Sequence, residues 1–215
     1  MELKYNKIQT TGTDTPLKIV KGHFATNHAH TNYYFDLTTV KSRLSEAGGI
    51  AQGTTYGISV SVRYDRRYNR MYGRDRSDRN ASCTGADKRT VSCRRTPTKT
   101  IYVIKPEFNS NSQIVFKDNY RAMINGKNVL ILTATVTTGL TINKAIEGVQ
   151  YYGGIIQGIS AVFSALENVN GIPIKSVFGL KDVPDYQYSD YRNCPLCKEG
   201  KKLDALINPY GYSKL

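Results

Sequence analysis

The sequence lacks the features that would place the protein in a membrane or in a disulfide scaffold. No apolar run approaches the roughly 18 residues needed to cross a bilayer. The opening stretch MELKYNKIQTTGTDTP is too polar for a secretory signal. Four cysteines in 215 residues do not suggest a disulfide framework. We therefore expect a cytoplasmic protein with no membrane partner.

Acidic residues are also scarce: 17 Asp and Glu stand against 30 Lys and Arg, a net charge of +13. Ten of the 13 arginines lie between Arg63 and Arg95, so the basicity belongs to one segment. Arginines interleaved with tyrosines could contact phosphates and stack on bases, which leaves a Tyr/Arg-rich RNA-binding protein as an alternative. No recognised nucleic-acid motif accompanies the charge, so we do not expect nucleic acid as a partner.

What the sequence does contain is an alternation of buried strands and helices. NVLILTATV is a continuous apolar run of strand length, and LTINKAIEGVQYYGG follows it with helical spacing. GIIQGISAVFSALE and GIPIKSVFGL read as two further strands, and Lys99–Pro106 as an earlier one. Upstream, Asp36 can cap a helix that begins at Leu37 and ends at Gly48-Gly49. The pattern predicts an α/β fold with a largely parallel central sheet flanked by helices.

The turn between NVLILTATV and the following helix has the composition of an anion site. A strand-to-helix turn exposes main-chain N–H groups at the positive end of the helix dipole. The glycine lets the backbone approach an anion closely, and the threonines add hydroxyl donors. The predicted phosphate-binding residues are Val136, Thr137, Thr138, Gly139, Leu140 and Thr141. A threonine-rich helix cap without a ligand is the alternative.

Three motifs, in order, resemble those of orotate phosphoribosyltransferases, a family with the type I phosphoribosyltransferase fold. GKNVLILTATVTTGLTINKAIEGVQYYGG is similar to the family's phosphoribosyl-pyrophosphate motif. VKGHFATNHAHTNYYFDL is similar to the segment that opens these enzymes, and IYVIKPE occupies the place of a strand ending in basic residues and a glutamate. The resemblance covers more than half of the chain.

The resemblance implies transfer of a 5-phosphoribosyl group from phosphoribosyl pyrophosphate to a pyrimidine base, orotate, with Mg²⁺ on the pyrophosphate. It places Lys105 near the pyrophosphate. It also makes Lys21, His23 and Tyr34 candidates for the base pocket. A homodimer is the assembly that the family implies, and a small N-terminal hood is expected to cover the sheet.

Several of the family's charged residues are absent from this sequence. Thr133 and Ala134 stand where the family has two adjacent acidic residues that bind the ribose hydroxyls. The segment matching the family's mobile loop offers only Lys117. The catalytic residues therefore remain unassigned. A catalytically impaired relative that binds a phosphoribosyl ligand or nucleotide as a regulator is the alternative to an enzyme.

The middle of the chain, residues 48–96, does not fit the expected fold. Tyr64–Arg95 has neither strand nor helix periodicity, although the family has a core strand, an acidic-glycine turn and a helix there. Codons can be chosen for Tyr64–Asp87 so that the loss of one nucleotide yields a strand, an Asp-Gly turn and an amphipathic helix. We hypothesise that residues 48–96 are translated out of frame; a disordered loop is the alternative.

Cys194 and Cys197, in CPLCKEG, have the spacing of a zinc knuckle and make Zn²⁺ a second candidate metal. They supply half of a tetrahedral site, which Cys83 and Cys93 could complete numerically or a second copy could complete across a dimer. A tail turn with two free thiols and no metal is the alternative. The three histidines at 23, 28 and 30 are expected in a solvated loop, or else in the base pocket. The predicted organisation is a hood (1–35), an α/β domain (36–183) and a tail with the CxxC motif (184–215).

Overall fold

The computed structural model describes residues 4–61, 102–109, 113–208 and 211–215, with side chains except at 54–61. The strands within these ranges are β1 (Tyr5–Thr10), β2 (Thr13–Ala25), β3 (His30–Asp36), β4 (Glu107–Phe108), β5 (Ile114–Val115), β6 (Asn128–Val136), β7 (Ile155–Ser164), β8 (Asn168–Val169), β9 (Ile172–Gly179), β10 (Tyr188–Ser189), β11 (Ala205–Asn208) and β12 (Gly211–Lys214). The helices are α1 (Thr38–Ser42), α2 (Leu44–Ser61), α3 (Arg121–Ile124), α4 (Leu140–Tyr151) and α5 (Pro195–Lys198).

The central sheet has the order β6-β7-β9-β8, and β6, β7 and β9 run parallel. Helix α4 connects β6 to β7 and packs on both, as a crossover between parallel strands requires. Its buried side, which includes Ile142 and Ile146, joins Val136 and Ile159 of the strands in one apolar cluster. The predicted α/β fold with a parallel sheet is confirmed.

A second sheet forms the hood and unites both ends of the described chain. Its strands follow the order β10-β3-β2-β11-β12, and β1 pairs with the first part of β2. β1 lies along Thr13–Val20 of the long strand β2, and β11 continues at Phe24 and Ala25. The C-terminal strands therefore complete the same sheet that the N-terminal strands begin.

The hood sheet and the central sheet share one core. Leu17 and Tyr33 of the hood lie in the same buried cluster as Phe163 and Phe178 of the central sheet. Phe35 stacks on Phe163 with 4.1 Å between ring centroids. The two sheets are thus fixed to each other by aromatic and aliphatic packing.

Helix α2 differs from the sequence prediction. Asp36 accepts the N–H of Thr38 at 2.9 Å, but α1 begins at Thr38 with Leu37 at the N-cap position, one residue later than predicted. The predicted single helix is also divided, because α1 ends at Ser42 and Arg43 is extended before α2 begins. Gly48 and Gly49 do not end the helix, because α2 passes through both of them to Ser61. A Cβ atom at Gly49 would overlap Thr15 Oγ1, so the small residue lets the helix lie directly against the β1–β2 hairpin.

Other sequence predictions have mixed outcomes. Residues 102–106 of the predicted strand Lys99–Pro106 are not in a strand, and 99–101 lie outside the described residues. The predicted polar loop around His23 is instead the β2–β3 pair. Of the segment 48–96, residues 48–61 belong to α2 and residues 62–96 lie outside the described residues, so the frame hypothesis stays a prediction. Among the described helices, none has the length and apolarity that a membrane span requires.

Candidate functional site

The predicted phosphate loop lies at the carboxyl end of β6, where α4 begins. Gly139 has φ +77° and occupies the N-cap position of α4, a backbone conformation that favours glycine. A Cβ atom at this position would come within 3.1 Å of Leu166 and 3.2 Å of Val169, so the turn rests on the β7–β8 connection. The bend between β6 and α4 is therefore sharp and packs against Leu166 and Val169.

The main-chain N–H groups of this turn have few acceptors in the protein. The first helical hydrogen bond runs from Asn143 N–H to Gly139 O at 2.9 Å. Leu140 N–H points to Thr138 Oγ1 at a long 3.4 Å. Within the described ranges, the N–H groups of Thr137 and Thr138 donate to no protein acceptor. Donors of this kind at a helix start favour an anion.

The neighbouring strands end at the same edge of the sheet. Val136 pairs with Ser164 of β7, and Ser164 pairs with Gly179 of β9. After β9, the carboxylate of Asp182 accepts the N–H of Gly179 at 2.9 Å. Because carboxyl ends of parallel strands border the ligand crevice in α/β folds, this edge is where a ligand of the loop would extend.

Thr133 and Ala134, which replace the family's acidic pair, lie next to each other on β6. Ala134 is partly buried and packs against the core shared by the two sheets. Thr133 is half-buried next to it on β6. Neither side chain can supply a carboxylate to a ribose hydroxyl or to a metal ion.

The lysines predicted near the pyrophosphate lie on the β4–β5 side of the molecule. Lys105 is exposed just before β4. Lys117 forms an ion pair with Glu107 at 2.9 Å, and this hydrogen bond raises the pKa of the lysine. Both lysines are therefore exposed, Lys117 pairs with a carboxylate, and Lys105 is the lysine that the resemblance places near the pyrophosphate.

The three base-pocket candidates are not brought together. Lys21 pairs with Tyr33 across the hood sheet and Val20 pairs with Tyr34, so Lys21 and Tyr34 lie on opposite faces. Tyr34 is buried against Phe24, and burial raises its pKa to about 12. Lys21 alone of the three is exposed.

Lys21 belongs to a polar network that the sequence did not suggest. Its ammonium group contacts Asp185 Oδ2 at 2.7 Å, and Tyr33 Oη donates to the same carboxylate at 2.7 Å. The hydrogen bonds from Lys21 and Tyr33 lower the pKa of Asp185. The network attaches the segment after β9 to the hood.

His23 is fully buried in a cluster of metal-ligand side chains, so the expectation of a solvated histidine loop is wrong for it. His23, His30, Cys194 and Cys197 bring one ligand atom each within 4.8 Å of one another. His23 Nε2 lies 3.2 Å from His30 Nδ1 and 3.4 Å from Cys194 Sγ. Cys197 Sγ lies 3.6 Å from His23 Nε2 and 3.2 Å from His30 Nδ1.

Local structure explains how each side of this cluster forms. A register shift between Lys21 and Phe24 interrupts the β2–β3 pairing at His23 and reorients its side chain, as bulges do. Cys194 is the N-cap of the four-residue helix α5, Pro195 is the first residue of this helix, and Cys197 lies within it. The sequence signal was the CxxC motif together with two histidines, which lie more than 160 residues away.

The cluster alters the acidity of its own members. Burial and the neighbouring His23 lower the pKa of His30. Burial raises the pKa of Cys194, but the nearby N–H of Cys197 and other donors outweigh it, leaving the thiol more acidic than usual. Partial desolvation and the hydrogen bond with the neighbouring Cys194 raise the pKa of Cys197, although its side chain is exposed. The two thiols of the motif therefore differ in acidity.

Comparison with known proteins agrees with the resemblance seen in the sequence. An orotate phosphoribosyltransferase of Thermus thermophilus is 33% identical over 83 residues, which are 38% of this chain and 43% of that protein. The enzyme of the same name from Caldanaerobacter subterraneus subsp. tengcongensis is 32% identical over 80 residues, 36% of this chain and 40% of that protein. The chain thus spans less than half the length of the curated relatives it matches. No family model matches it.

Solved structures give a weaker likeness. An orotate phosphoribosyltransferase of Mycobacterium tuberculosis with inorganic phosphate aligns with a TM-score of 0.40 at 18% identity, covering 71% of this chain and 81% of that one. A phosphoribosyltransferase of Corynebacterium diphtheriae aligns with a TM-score of 0.42 at 16% identity, covering 77% and 90%.

Proposed function

We propose that this protein is a phosphoribosyltransferase that transfers the 5-phosphoribosyl group of phosphoribosyl pyrophosphate to orotate. The observation that carries the proposal is the turn Val136–Thr141, with main-chain donors that meet no protein acceptor in the described ranges and a left-handed Gly139. The local similarity to orotate phosphoribosyltransferases supports the same assignment.

The loop would act by positioning the substrate. Main-chain N–H groups and the hydroxyls of Thr137, Thr138 and Thr141 would hold the 5-phosphate at the positive end of α4. The ribose would then extend along the strand ends toward Gly179. Fixing a reacting sugar relative to its base lowers the barrier without any chemical step by the loop itself.

The residues at Thr133 and Ala134 do not fit a Mg²⁺ site built by the protein. Mg²⁺ is usually bound through one or two carboxylates together with substrate phosphates, and these positions supply none. Any Mg²⁺ that arrives with pyrophosphate would depend on oxygens of the substrate, and we derive no step from it.

The same absence favours a second candidate function. A chain that keeps the phosphate loop but lacks the acidic pair, and whose Lys117 is engaged by Glu107, could bind a phosphoribosyl ligand without turning it over. Such a protein would serve as a sensor of that ligand. The two candidates share the loop and differ only in the chemistry that follows binding.

One experiment separates them. The protein is incubated with orotate, phosphoribosyl pyrophosphate and Mg²⁺ while orotate absorbance is followed, and its melting temperature is measured with and without phosphoribosyl pyrophosphate. Turnover supports the transferase. A ligand-induced rise in melting temperature without turnover supports the sensor. The absence of both turnover and stabilisation would contradict both candidates.

Three variants sharpen the result. Thr138→Ala removes a proposed phosphate contact, and Gln150→Ala, an exposed change in the last turn of α4, is the matched control. Ligand stabilisation should weaken in the first variant and persist in the second. If a Thr133→Glu/Ala134→Asp double variant acquires turnover that the parent lacks, the missing carboxylates explain why the parent protein has no transferase activity.

A further inference from the structure

We propose that His23, His30, Cys194 and Cys197 bind one Zn²⁺ ion that fastens the C-terminal segment to the hood sheet. The site is independent of phosphoribosyl transfer. It is carried by the geometry of four side chains that converge from β2, β3 and the turn at α5.

The spacing of the ligand atoms is that of a tetrahedral site. With Zn–N near 2.0 Å and Zn–S near 2.3 Å, tetrahedral angles place two nitrogens about 3.3 Å apart and a nitrogen and a sulfur about 3.5 Å apart. The two nitrogens here are 3.2 Å apart. Three of the four nitrogen–sulfur distances are 3.2, 3.4 and 3.6 Å, and all four ligand atoms lie within 4.8 Å of one another. The nitrogen–nitrogen distance and these three nitrogen–sulfur distances are therefore within a few tenths of an ångström of those of a tetrahedral zinc site.

Hydrogen bonding alone does not account for this convergence. His23 Nδ1–H donates to the carbonyl of Lys201 at 2.9 Å, so Nε2 of the neutral ring carries a single lone pair. Three groups approach that nitrogen within 3.6 Å: His30 Nδ1 and the two thiols. One lone pair cannot accept three hydrogen bonds, whereas a single cation placed among the four atoms satisfies all of them.

The contact with Lys201 is also the partner that a metal-bound histidine requires. Zinc-ligating imidazoles usually donate their second N–H to a carbonyl or carboxylate, which fixes the tautomer and the ring orientation. The Lys201 carbonyl comes from the chain that leaves the CPLC turn. The segment that supplies two ligands therefore also orients a third.

The ligand set points to zinc in a structural role. Two thiolates and two imidazoles are a common zinc set, and the two thiolate charges neutralise the ion. All four positions are filled by protein, which leaves none open for a substrate. His23 and Cys194 are buried while Cys197 is exposed, so the ion can enter from one side.

The first test measures metal in the full-length protein. The protein is purified under reducing conditions, loaded with excess Zn²⁺ and desalted. It should retain about one zinc per chain, as measured by inductively coupled plasma mass spectrometry. Replacement by Co²⁺ should give the visible bands of tetrahedral cobalt and a near-ultraviolet thiolate charge-transfer band. Retention of no metal together with no tetrahedral cobalt spectrum would overturn the proposal.

Variants then assign the ligands. Cys197→Ser should lower zinc content at least about tenfold, since it removes a ligand from the exposed side of the site. His28→Ala, in the turn between β2 and β3, and the Cys83→Ser/Cys93→Ser double variant should retain the zinc. Loss of zinc in the double variant, or its retention in Cys197→Ser, would overturn the assignment. If Cys197→Ser fails to fold, the intensity of the thiolate charge-transfer band of the Co²⁺-substituted wild-type protein decides, because the proposed site requires two thiolate ligands.

Discussion

Asp204 holds the backbone of His23 by two hydrogen bonds. Its carboxylate accepts the N–H of His23 at 2.7 Å, and its own N–H donates to the His23 carbonyl at 2.8 Å. These residues are 181 positions apart in sequence. The start of β11 therefore fixes the point of β2 from which a buried metal-ligand side chain projects.

Removing this carboxylate should weaken both folding and metal binding. Asp204→Ala leaves the His23 N–H without its acceptor, which should lower the free energy of unfolding by about 1–3 kcal/mol. Loss of such outer support should also reduce zinc affinity by about 10–100-fold. Urea denaturation and competition with a chromogenic chelator measure the two effects. Asp204→Asn keeps an acceptor oxygen and should lose less, and equal losses in both variants would contradict this role.

Adjacent glycines of α2 should respond in opposite ways to alanine. A Cβ at Gly48 meets nothing within 4 Å, so Gly48→Ala should stabilise the protein by about 0.5–1 kcal/mol through helix propensity. A Cβ at Gly49 would overlap Thr15 Oγ1, so Gly49→Ala should destabilise it by about 1–3 kcal/mol. Chemical denaturation of the pair provides the comparison. Similar stabilisation by both would mean that α2 does not lie against the hairpin.

The phosphate loop should depend on the left-handed conformation of Gly139. Gly139→Ala strains the backbone and brings a Cβ within 3.1 Å of Leu166, so binding of ribose 5-phosphate should fall at least about tenfold, for a cost of roughly 1–3 kcal/mol. Gly171 has φ +76° with nothing within 4 Å, which makes Gly171→Ala a control for backbone strain alone. Calorimetric titration should show near-normal binding for the control. Equal binding by the two variants would show that the loop does not hold the phosphate.

Acid should remove the stabilisation supplied by Asp185. Because Lys21 and Tyr33 lower its folded pKa below the ordinary 3.8, its contribution is present above about pH 4 and is lost as pH falls through the folded pKa. The carboxylate is half exposed, so the contribution is at most about 1 kcal/mol. Unfolding of wild type and Asp185→Asn, both metal-free, should differ at pH 6 and converge near pH 2. Asp118→Asn serves as an exposed control, and a constant difference would contradict the assignment.

The hypothesis of a shifted reading frame can be tested on the gene and on the protein. Gly49, Ile50 and Gly53 pack in the described part of α2, which favours a first junction after Gly53. A version encoded in the alternative frame from there to residue 96 should form the strand and the helix that the alternative-frame sequence predicts. It should therefore melt at a higher temperature than the present chain. The control is the same frame-shifted insert with its codons in shuffled order. If the native codons are incompatible with the alternative-frame sequence, the hypothesis is wrong.

The sequence predicted best the parts of the fold whose signals are local. β6, the Gly139 turn and α4 follow each other within 24 residues, and each carries its own period or its own turn residue. The strands β7 and β9 were identified for the same reason. Here propensity, apolar pattern and turn chemistry agree.

Predictions failed where distant contacts decide the structure. Gly48 and Gly49 resemble a helix end, but close packing on the hairpin at Thr15 favours continuation of α2. His23 and His30 look solvated because their partners Cys194 and Cys197 lie far along the chain. Strand alternation also places two of the base-pocket candidates, Lys21 and Tyr34, on opposite faces of the hood sheet, and their assignment to a base pocket stays a prediction. No local pattern carries this information.

One edge of β2 pairs with β1, its neighbour in sequence, and with β11 from the far end of the chain. The two pairings must therefore form in a fixed order during biosynthesis. β1 can pair with the first part of β2 as soon as the hairpin emerges from the ribosome. The part beyond Lys21 must wait for Ala205 and Leu206, nearly the entire chain later. Until then, Phe24 and its neighbours lack their cover, and a nascent chain that stalls before β11 presents an open strand edge to chaperones or to other chains.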